Sequence, residues 1–218
     1  MLDNLTVVAP MRNEEDTAFP FLDRLTKAIA ENSRHWRIII PLTATDNTRR
    51  ILESFKVDVI LVPPGLGLAY RQGLSRALDY SSDRVLTLDT DLSHIPEEMN
   101  RLLEVDADIV LGARDTSEAP LHRRFTSYMV NSILRGPFSD YTSSYRLYRR
   151  KVLETILPQV RSNGFAFLPE IVFRSLKLGY TIEEVSVSFP ARIAGESKMS
   201  YKANIRDYAR FLRWRYIG

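Results

Sequence analysis

The sequence contains no cysteine, no long apolar run and no strong excess of either charge. Without cysteine, disulfide bonds, zinc–thiolate sites and a cysteine nucleophile are all excluded. No apolar run reaches the length of a membrane-spanning helix, and the apolar start of the chain is too short for a signal peptide. Thirty basic and 27 acidic side chains leave a net charge of only +3, which gives no argument for a nucleic-acid partner. We therefore expect a cytoplasmic protein that does not bind nucleic acid.

The basic residues are unevenly distributed along the 218 residues. The chain is long enough to bury one core, so one main domain is expected. Clustered basic side chains favour an anionic ligand or surface. The clusters lie in the middle and at the end of the chain: Arg123, Arg124, Arg135, Arg146, Arg149, Arg150 and Lys151, then Lys202, Arg206, Arg210, Arg213 and Arg215.

Short β-rich runs alternate with helical patterns, which predicts an α/β fold with a mostly parallel sheet. The runs carry Val, Ile and Leu on both faces, as expected for strands covered by helices on either side. The predicted strands are 5–9, 36–40, 58–62, 84–88, 108–113, 144–148 and 181–187. The predicted helices are 17–31, 48–55, 68–81, 96–104, 125–134 and 167–178. We expect a domain over residues 1–199 and a basic amphipathic helix over residues 200–218.

The strongest local motif is Asp89-Thr90-Asp91, which directly follows a predicted strand. Carboxylates at the carboxyl end of a parallel strand lie where open α/β sheets bind ligands. Carboxylate oxygens hold Mg²⁺ or Mn²⁺, and these ions also bind phosphates. The alternative is a pair of solvated loop aspartates, but the position favours the metal.

A second motif, Gly65-Leu66-Gly67, follows a strand and opens a helix. It partly matches the dinucleotide-binding fingerprint, with Asp89 at a plausible distance for the acid that binds the ribose. Tyr70 occupies the place of the third glycine. An NAD-dependent oxidoreductase is therefore only a minor alternative.

Together, the motifs along the chain resemble the family 2 glycosyltransferases, most closely the dolichyl-phosphate mannosyltransferase branch. The resemblance extends from Val7 to about Met199. It implies a GT-A fold, a Rossmann-like fold for nucleotide-diphospho-sugar transfer with helices on both faces of the sheet. The motifs are, in chain order, residues 7–15, 65–73, 89–96, 112–114, 140–146, Glu170 and 192–198.

The resemblance also implies a role for individual residues. Arginine suits phosphate because its planar fork bonds two oxygens at once. The implied nucleotide-sugar site comprises Pro10, Arg12, Glu14, Asp89, Thr90, Asp91, Arg114, Arg192 and Lys198, of which the last two lie on a loop expected to close over the diphosphate. The implied catalytic residues are Asp89, Asp91 and Arg114, the metal ligands Asp91, Asp89 and Ser93, and the acceptor-phosphate residues Arg123, Arg124 and Arg146.

The chain departs from the family at the end of the second strand. Relatives usually carry an aspartate pair there that binds the base and ribose, whereas this chain has Pro41-Leu42. Many relatives also have tyrosine where this chain has Arg12. The nucleotide therefore stays open, and a catalytically impaired nucleotide-sugar-binding module stays an alternative.

The resemblance implies a metal-dependent, inverting transfer of a hexose, with mannose favoured, to a polyprenyl or dolichyl phosphate. The implied donor is a nucleoside-diphosphate sugar, with GDP-mannose favoured and a UDP-sugar possible. A phosphate acceptor is already anionic near neutral pH, because its second pKa is about 6, and needs no strong general base. A glycosyltransferase with a non-lipid acceptor shares every motif and stays an alternative.

Three side chains and one helix allow a structural as well as a functional interpretation. Arg146 is either a surface residue or functional, Glu170 is expected to be solvated, and His94 is expected to cap a helix. His35, His94 and His122 show no zinc-ligand spacing. The basic amphipathic helix near the end of the chain either packs on the domain or lies peripherally on an anionic membrane.

Overall fold

A computed structural model describes residues 2–114, 136–190 and 206–213 of the chain. Within these residues, eight strands form one sheet in the order β2-β3-β1-β5-β7-β6-β8, with β4 paired to β3. The strands are β1 (Leu2–Val8), β2 (Met11–Arg12), β3 (Ser33–Thr43), β4 (Asp58–Leu61), β5 (Arg84–Thr87), β6 (Ile109–Arg114), β7 (Arg146–Arg149) and β8 (Ile182–Val187).

The sheet is parallel except at β7. β1 pairs in parallel with β3 and β5, β3 with β2 and β4, and β6 with β8. β7 lies antiparallel between β5 and β6. The predicted α/β class and mostly parallel sheet are confirmed, and the strand predicted at 144–148 corresponds to β7, whose reversed direction was not predicted.

Helices cover both faces of the sheet and enclose two apolar cores. Neighbouring residues of β1, Val7 and Val8, point into different cores because successive strand side chains alternate. One core is covered by α1 (Ala18–Asn32), α2 (Thr48–Leu52) and α4 (Met99–Leu103), which follows a 3₁₀ turn (Pro96–Glu98). The other is covered by α3 (Leu66–Ala77), α5 (Arg150–Ile156) and α6 (Phe167–Lys177).

The predicted elements that fall on described residues are all present, with shifted boundaries. The largest change in length is in β3, which runs for 11 residues instead of the predicted five. Helix α5 was not predicted; it is only seven residues long and begins without a side-chain cap. The helix predicted at 125–134 lies outside the described residues.

Residues 206–213 form a helix that packs on the domain. The buried Phe211 ring meets Phe173 edge to face at 6.0 Å, and Tyr208 and Leu212 pack against the same core. Arg206, Arg210 and Arg213 are exposed. Over this segment, the apolar stripe therefore faces protein. None of the described helices is both long and apolar enough to cross a bilayer.

Candidate functional site

Several predicted site residues that the structure describes converge at one edge of the sheet. The carboxyl ends of the parallel strands β1, β5 and β6 lead to Pro10, Asp89 and Arg114 at this edge. Because β7 is antiparallel, it brings its amino end, preceded by Ser144, to the same edge. A segment distant in sequence thereby joins the Asp89-Thr90-Asp91 motif.

Asp89 is tightly held at the end of β5. Its Oδ1 accepts hydrogen bonds from the Ser144 hydroxyl at 2.6 Å and the Tyr70 hydroxyl at 3.1 Å. Burial raises the pKa of the Asp89 carboxyl, but the Ser144 hydroxyl and Arg114 are among the groups that lower it more, so the net pKa lies below the ordinary value. The carboxylate is therefore ionised at neutral pH and ready to meet a cation.

The second carboxylate lies in a tight turn. The Asp91 Oδ1 accepts hydrogen bonds from the Ser93 backbone N–H, at 3.0 Å, and from the Ser93 hydroxyl. Leu92 has a φ of 62°, a conformation that is costly for a bulky side chain. The Thr90 hydroxyl donates to the Pro10 carbonyl at 3.3 Å. This loop is therefore fixed to the end of β1.

Arg114 forms an ion pair at the same edge. Its Nε and Nη2 donate to the two oxygens of Asp140 at 2.6 and 3.0 Å, and Nη2 also donates to Thr142. The guanidinium lies 5.0 Å from the centre of the Phe189 ring. Although burial opposes ionisation, Arg114 lowers the pKa of Asp140 to about 2. Asp140 thus balances the charge of Arg114. The predicted contact between Arg114 and a phosphate stays a prediction.

The loop after β1 is bonded to the loop after β3. The Asn13 side-chain Oδ1 accepts the Thr45 N–H at 2.9 Å, and the Asp46 carboxylate accepts the N–H groups of Glu15 and Thr48. Asp46, which sequence reasoning missed, braces the segment that carries Arg12 and Glu14. The pattern Asp46-Asn47-Thr48, a polar start to a helix, could have indicated it.

Strand residues stand where the resemblance implied an aspartate pair. Pro41 and Leu42 lie inside β3, where they pair with Ile60 and Leu61 of β4. The strand continues to Thr43, so this stretch is sheet rather than loop.

The surface interpretation of Arg146 is wrong. The side chain is fully buried, and its guanidinium donates to the carbonyls of Ser143, Leu168 and Tyr141, each at 2.7 Å. Because the side chain is fully buried and donates to three backbone carbonyls, it is not exposed to an acceptor phosphate, so that predicted role is corrected. Arg146 instead fixes the turn that leads to Ser144.

The expectations for Glu170 and His94 are also corrected. Glu170 is buried rather than solvated, and accepts bonds from the backbone of Arg161 and Ser162 and from Arg174. The Nδ1 of His94 accepts the Asp89 N–H at 3.0 Å instead of capping a helix. Burial lowers the pKa of His94, so the neutral ring that this bond requires is favoured.

Two glycines of α3, Gly67 and Gly73, allow close packing of this helix against a loop and against the sheet. A Cβ on Gly67 would lie 2.5 Å from the Gly164 carbonyl oxygen, and a Cβ on Gly73 would lie 2.4 Å from Val8. Tyr70, in the place of the third glycine, bonds to Asp89, so that carboxylate already has a protein partner. The geometry does not support the oxidoreductase alternative.

Four predicted site residues, Arg123, Arg124, Arg192 and Lys198, lie outside the described residues. Among the described ones, no three His, Asp or Glu side chains are grouped closely enough to hold a metal by themselves. Asp89, Asp91 and Ser93 offer hard oxygen donors in one loop. Such a partial set fits Mg²⁺ or Mn²⁺ when diphosphate and water supply the remaining ligands.

Sequence comparison links the chain to sugar-transfer enzymes. Residues 6–157 match the family model described as glycosyl transferase family 2. The chain is 33% identical over 215 residues to the undecaprenyl-phosphate mannosyltransferase of Micrococcus luteus, covering 90% of this chain and 87% of that protein. It is 37% identical over 156 residues to the polyprenol monophosphomannose synthase of Mycolicibacterium smegmatis, covering 66% of this chain and 58% of that protein.

Structural comparison gives the same fold. Glucosyl-3-phosphoglycerate synthase from Mycobacterium tuberculosis, solved with UDP, aligns with a TM-score of 0.75 at 16% identity, covering 98% of this chain and 80% of that one. Its complex with Mn²⁺ and UDP-glucose aligns with a TM-score of 0.74 at 19% identity, covering 98% and 79%. At these identities the likeness establishes the fold alone.

Proposed function

This chain belongs to glycosyltransferase family 2 and is a glycosyltransferase with the GT-A fold, and from that premise we propose that it transfers mannose from a nucleoside-diphosphate sugar to a polyprenyl phosphate. The names of two relatives, one 33% identical over most of the chain, support this substrate pair. GDP-mannose is the favoured donor and a UDP-sugar is the second candidate.

The observation that carries the proposal is the convergence of Asp89, Asp91 and the Arg114–Asp140 pair at the carboxyl edge of the sheet. In this proposal, Asp91 and Asp89 hold a divalent metal with Ser93 nearby. The metal, when bound, supplies positive charge that stabilises the departing nucleoside diphosphate. The segments around Arg12 and Glu14 hold the nucleotide, and Arg192 and Lys198 cover the diphosphate.

The proposed acceptor requires little proton transfer. A polyprenyl phosphate is anionic near neutral pH, because its second pKa is about 6, so the protein has only to orient its oxygen toward the sugar. Attack from the face opposite the leaving diphosphate gives inversion. Arg123 and Arg124 are the proposed contacts for the acceptor phosphate.

We include peripheral membrane contact, at the cytoplasmic face, in this proposal. Arg206, Arg210 and Arg213 are exposed, whereas the neighbouring Phe211 packs against the domain. The contact is therefore electrostatic, between these arginines and anionic headgroups, rather than insertion of an apolar stripe.

A panel of nucleotide sugars tests the reaction. The protein is incubated with Mn²⁺, undecaprenyl phosphate in detergent and each of GDP-mannose, UDP-glucose and UDP-galactose, and release of nucleoside diphosphate and formation of glycolipid are measured. We expect turnover with GDP-mannose that requires both metal and lipid phosphate. Binding of donor without turnover would favour the impaired binding module, and turnover with a water-soluble acceptor would favour the non-lipid alternative.

A further inference from the structure

One oxygen of Asp89 is already saturated with hydrogen bonds. The hydroxyls of Tyr70, in α3, and Ser144, before β7, both donate to Oδ1, at 3.1 and 2.6 Å. Each carboxylate oxygen offers about two lone-pair directions. Two donors therefore occupy Oδ1, and Oδ2 is the oxygen left to meet a cation.

The two donors are themselves rigidly placed. Tyr70 is buried, and its ring stacks on Phe167 at 6.4 Å with only 9° between the ring planes. Ser144 is buried beside the turn that Arg146 fixes through three carbonyls.

The backbone of Asp89 is fixed as well, because its N–H donates to His94 Nδ1 at 3.0 Å. The position of Asp89 and the orientation of its carboxylate are therefore set by three different parts of the chain. Side chains held in this way keep a site close to its productive geometry before the ligand arrives.

Resting on the proposed function, in which Asp89 binds a divalent metal, we infer that Tyr70 and Ser144 are positioning residues that restrict Asp89 to single-oxygen coordination through Oδ2. This restriction selects the ion. Mg²⁺ requires a compact octahedral shell, whereas the larger Ca²⁺ readily takes both oxygens of a carboxylate. The two hydroxyls thus favour Mg²⁺ over Ca²⁺ without touching the metal.

The test measures metal selectivity directly. Free Mn²⁺ is followed by electron paramagnetic resonance in the presence of protein and GDP, with UDP in parallel, and bound Mn²⁺ is displaced by Mg²⁺ or Ca²⁺. For Tyr70→Phe, Ser144→Ala and the double variant, we expect Mg²⁺ to compete less well and Ca²⁺ better. In the double variant the ratio of the two competition constants should shift by about ten-fold or more, the size expected for lost bonds to a charged group.

Matched controls separate this effect from general damage. Tyr80→Phe removes a similar tyrosine–carboxylate bond, to Asp58 at 2.7 Å, at the opposite edge of the sheet, and Ser82→Ala removes another buried hydroxyl. Both should leave the Mg²⁺ to Ca²⁺ ratio unchanged. If Tyr70→Phe does not fold, as judged by circular dichroism, Ser144→Ala carries the test.

Two outcomes overturn the inference. In the first, the Tyr70 and Ser144 variants bind Mn²⁺, Mg²⁺ and Ca²⁺ more weakly by the same factor; in the second, none of these variants changes the binding of any ion. Both leave the proposed function intact as long as the parent protein binds Mn²⁺ and Asp91→Asn does not. Absence of Mn²⁺ binding by the parent protein itself would instead overturn the metal-dependent function.

Discussion

At the residue scale, Arg146 and Glu170 illustrate what a single sequence does not reveal about charge. A charged residue on a strand or helix is usually solvated, which is why both were open to a surface interpretation. The structure buries both, and each is satisfied by backbone groups from other segments. Those partners lie up to 22 residues away in the chain, so only the folded arrangement identifies them.

The role of Asp91 gives the first prediction. Asp91→Asn keeps the side-chain shape and the turn to Ser93, so we expect normal folding but loss of metal-dependent nucleotide binding. Calorimetric titration of GDP with and without Mn²⁺ measures this. The control Asp79→Asn changes an exposed aspartate on another surface and should bind like the parent. Unchanged Mn²⁺-dependent affinity in Asp91→Asn would remove Asp91 from the metal site.

The second prediction concerns the buried pair Arg114–Asp140. The pKa of Asp140 is lowered from 3.8 to about 2, so the ionised carboxylate stabilises the fold above pH 4 and this stabilisation is lost as the pH falls toward 2. At about 1.4 kcal/mol per pKa unit, Asp140→Asn should lower the free energy of unfolding by about 2 kcal/mol at pH 7.

Urea unfolding between pH 7 and pH 3 checks this value. The difference in the free energy of unfolding between the parent and Asp140→Asn should be constant down to about pH 4 and should then become smaller. Asp106→Asn, a change at an exposed carboxylate paired with Arg84 and Arg149, should have little effect at any pH. A difference that stays constant to pH 3 would contradict the assigned pKa.

At the element scale, short and reversed elements are the ones that sequence patterns miss. β7 was expected as a strand, but its direction is set by pairing with β5 and β6, which the chain reaches from distant segments. Periodicity carries no information on strand direction. Helix α5 has seven residues and no side-chain cap, so both of the usual signals for a helix are weak.

The third prediction tests the glycines of α3. Alanine at Gly67 would place its Cβ 2.5 Å from a backbone oxygen of Gly164, so α3 or the facing loop must move. We expect a loss of about 1–3 kcal/mol in the free energy of unfolding, the usual cost of overpacking. Thermal and urea unfolding measure it, with Ser75→Ala at an exposed position of α3 as the control. If Gly67→Ala is as stable as the parent, the loop that faces Gly67 can move aside at little cost in free energy.

At the scale of the whole molecule, the sequence predicts the architecture better than the site. Each predicted strand corresponds to an observed one, because buried parallel strands have a strong apolar pattern. The motif Asp89-Thr90-Asp91 also lies where predicted. The partners Tyr70, Ser144 and Asp140 were not assigned to it, because the sheet order that brings them together depends on long-range pairing.

The last prediction concerns the surface of the 206–213 helix. Replacing Arg206, Arg210 and Arg213 with glutamine should weaken binding to vesicles that contain anionic lipid. Each basic residue near such a surface contributes about 1 kcal/mol to the free energy of membrane binding. Co-sedimentation at low and high salt measures this. The control Lys27→Gln/Arg34→Gln/Arg49→Gln removes the same charge from exposed positions elsewhere and should bind normally. Equal binding by both triple variants would place the membrane contact on another surface.

The insertion of β7 between β5 and β6 also has a consequence for synthesis on the ribosome. β5 and β6 end at Thr87 and Arg114, but the strand that joins them is completed only at Arg149. Until that residue emerges, a nascent chain carries two strands with unpaired edges, which are the structures most prone to wrong association. Because β6 also pairs with β8, one of its edges stays unpaired until Val187. Protection of the growing chain by chaperones is therefore most needed while residues 88–187 are being translated, and the carboxyl edge that holds Asp89 is completed within that interval.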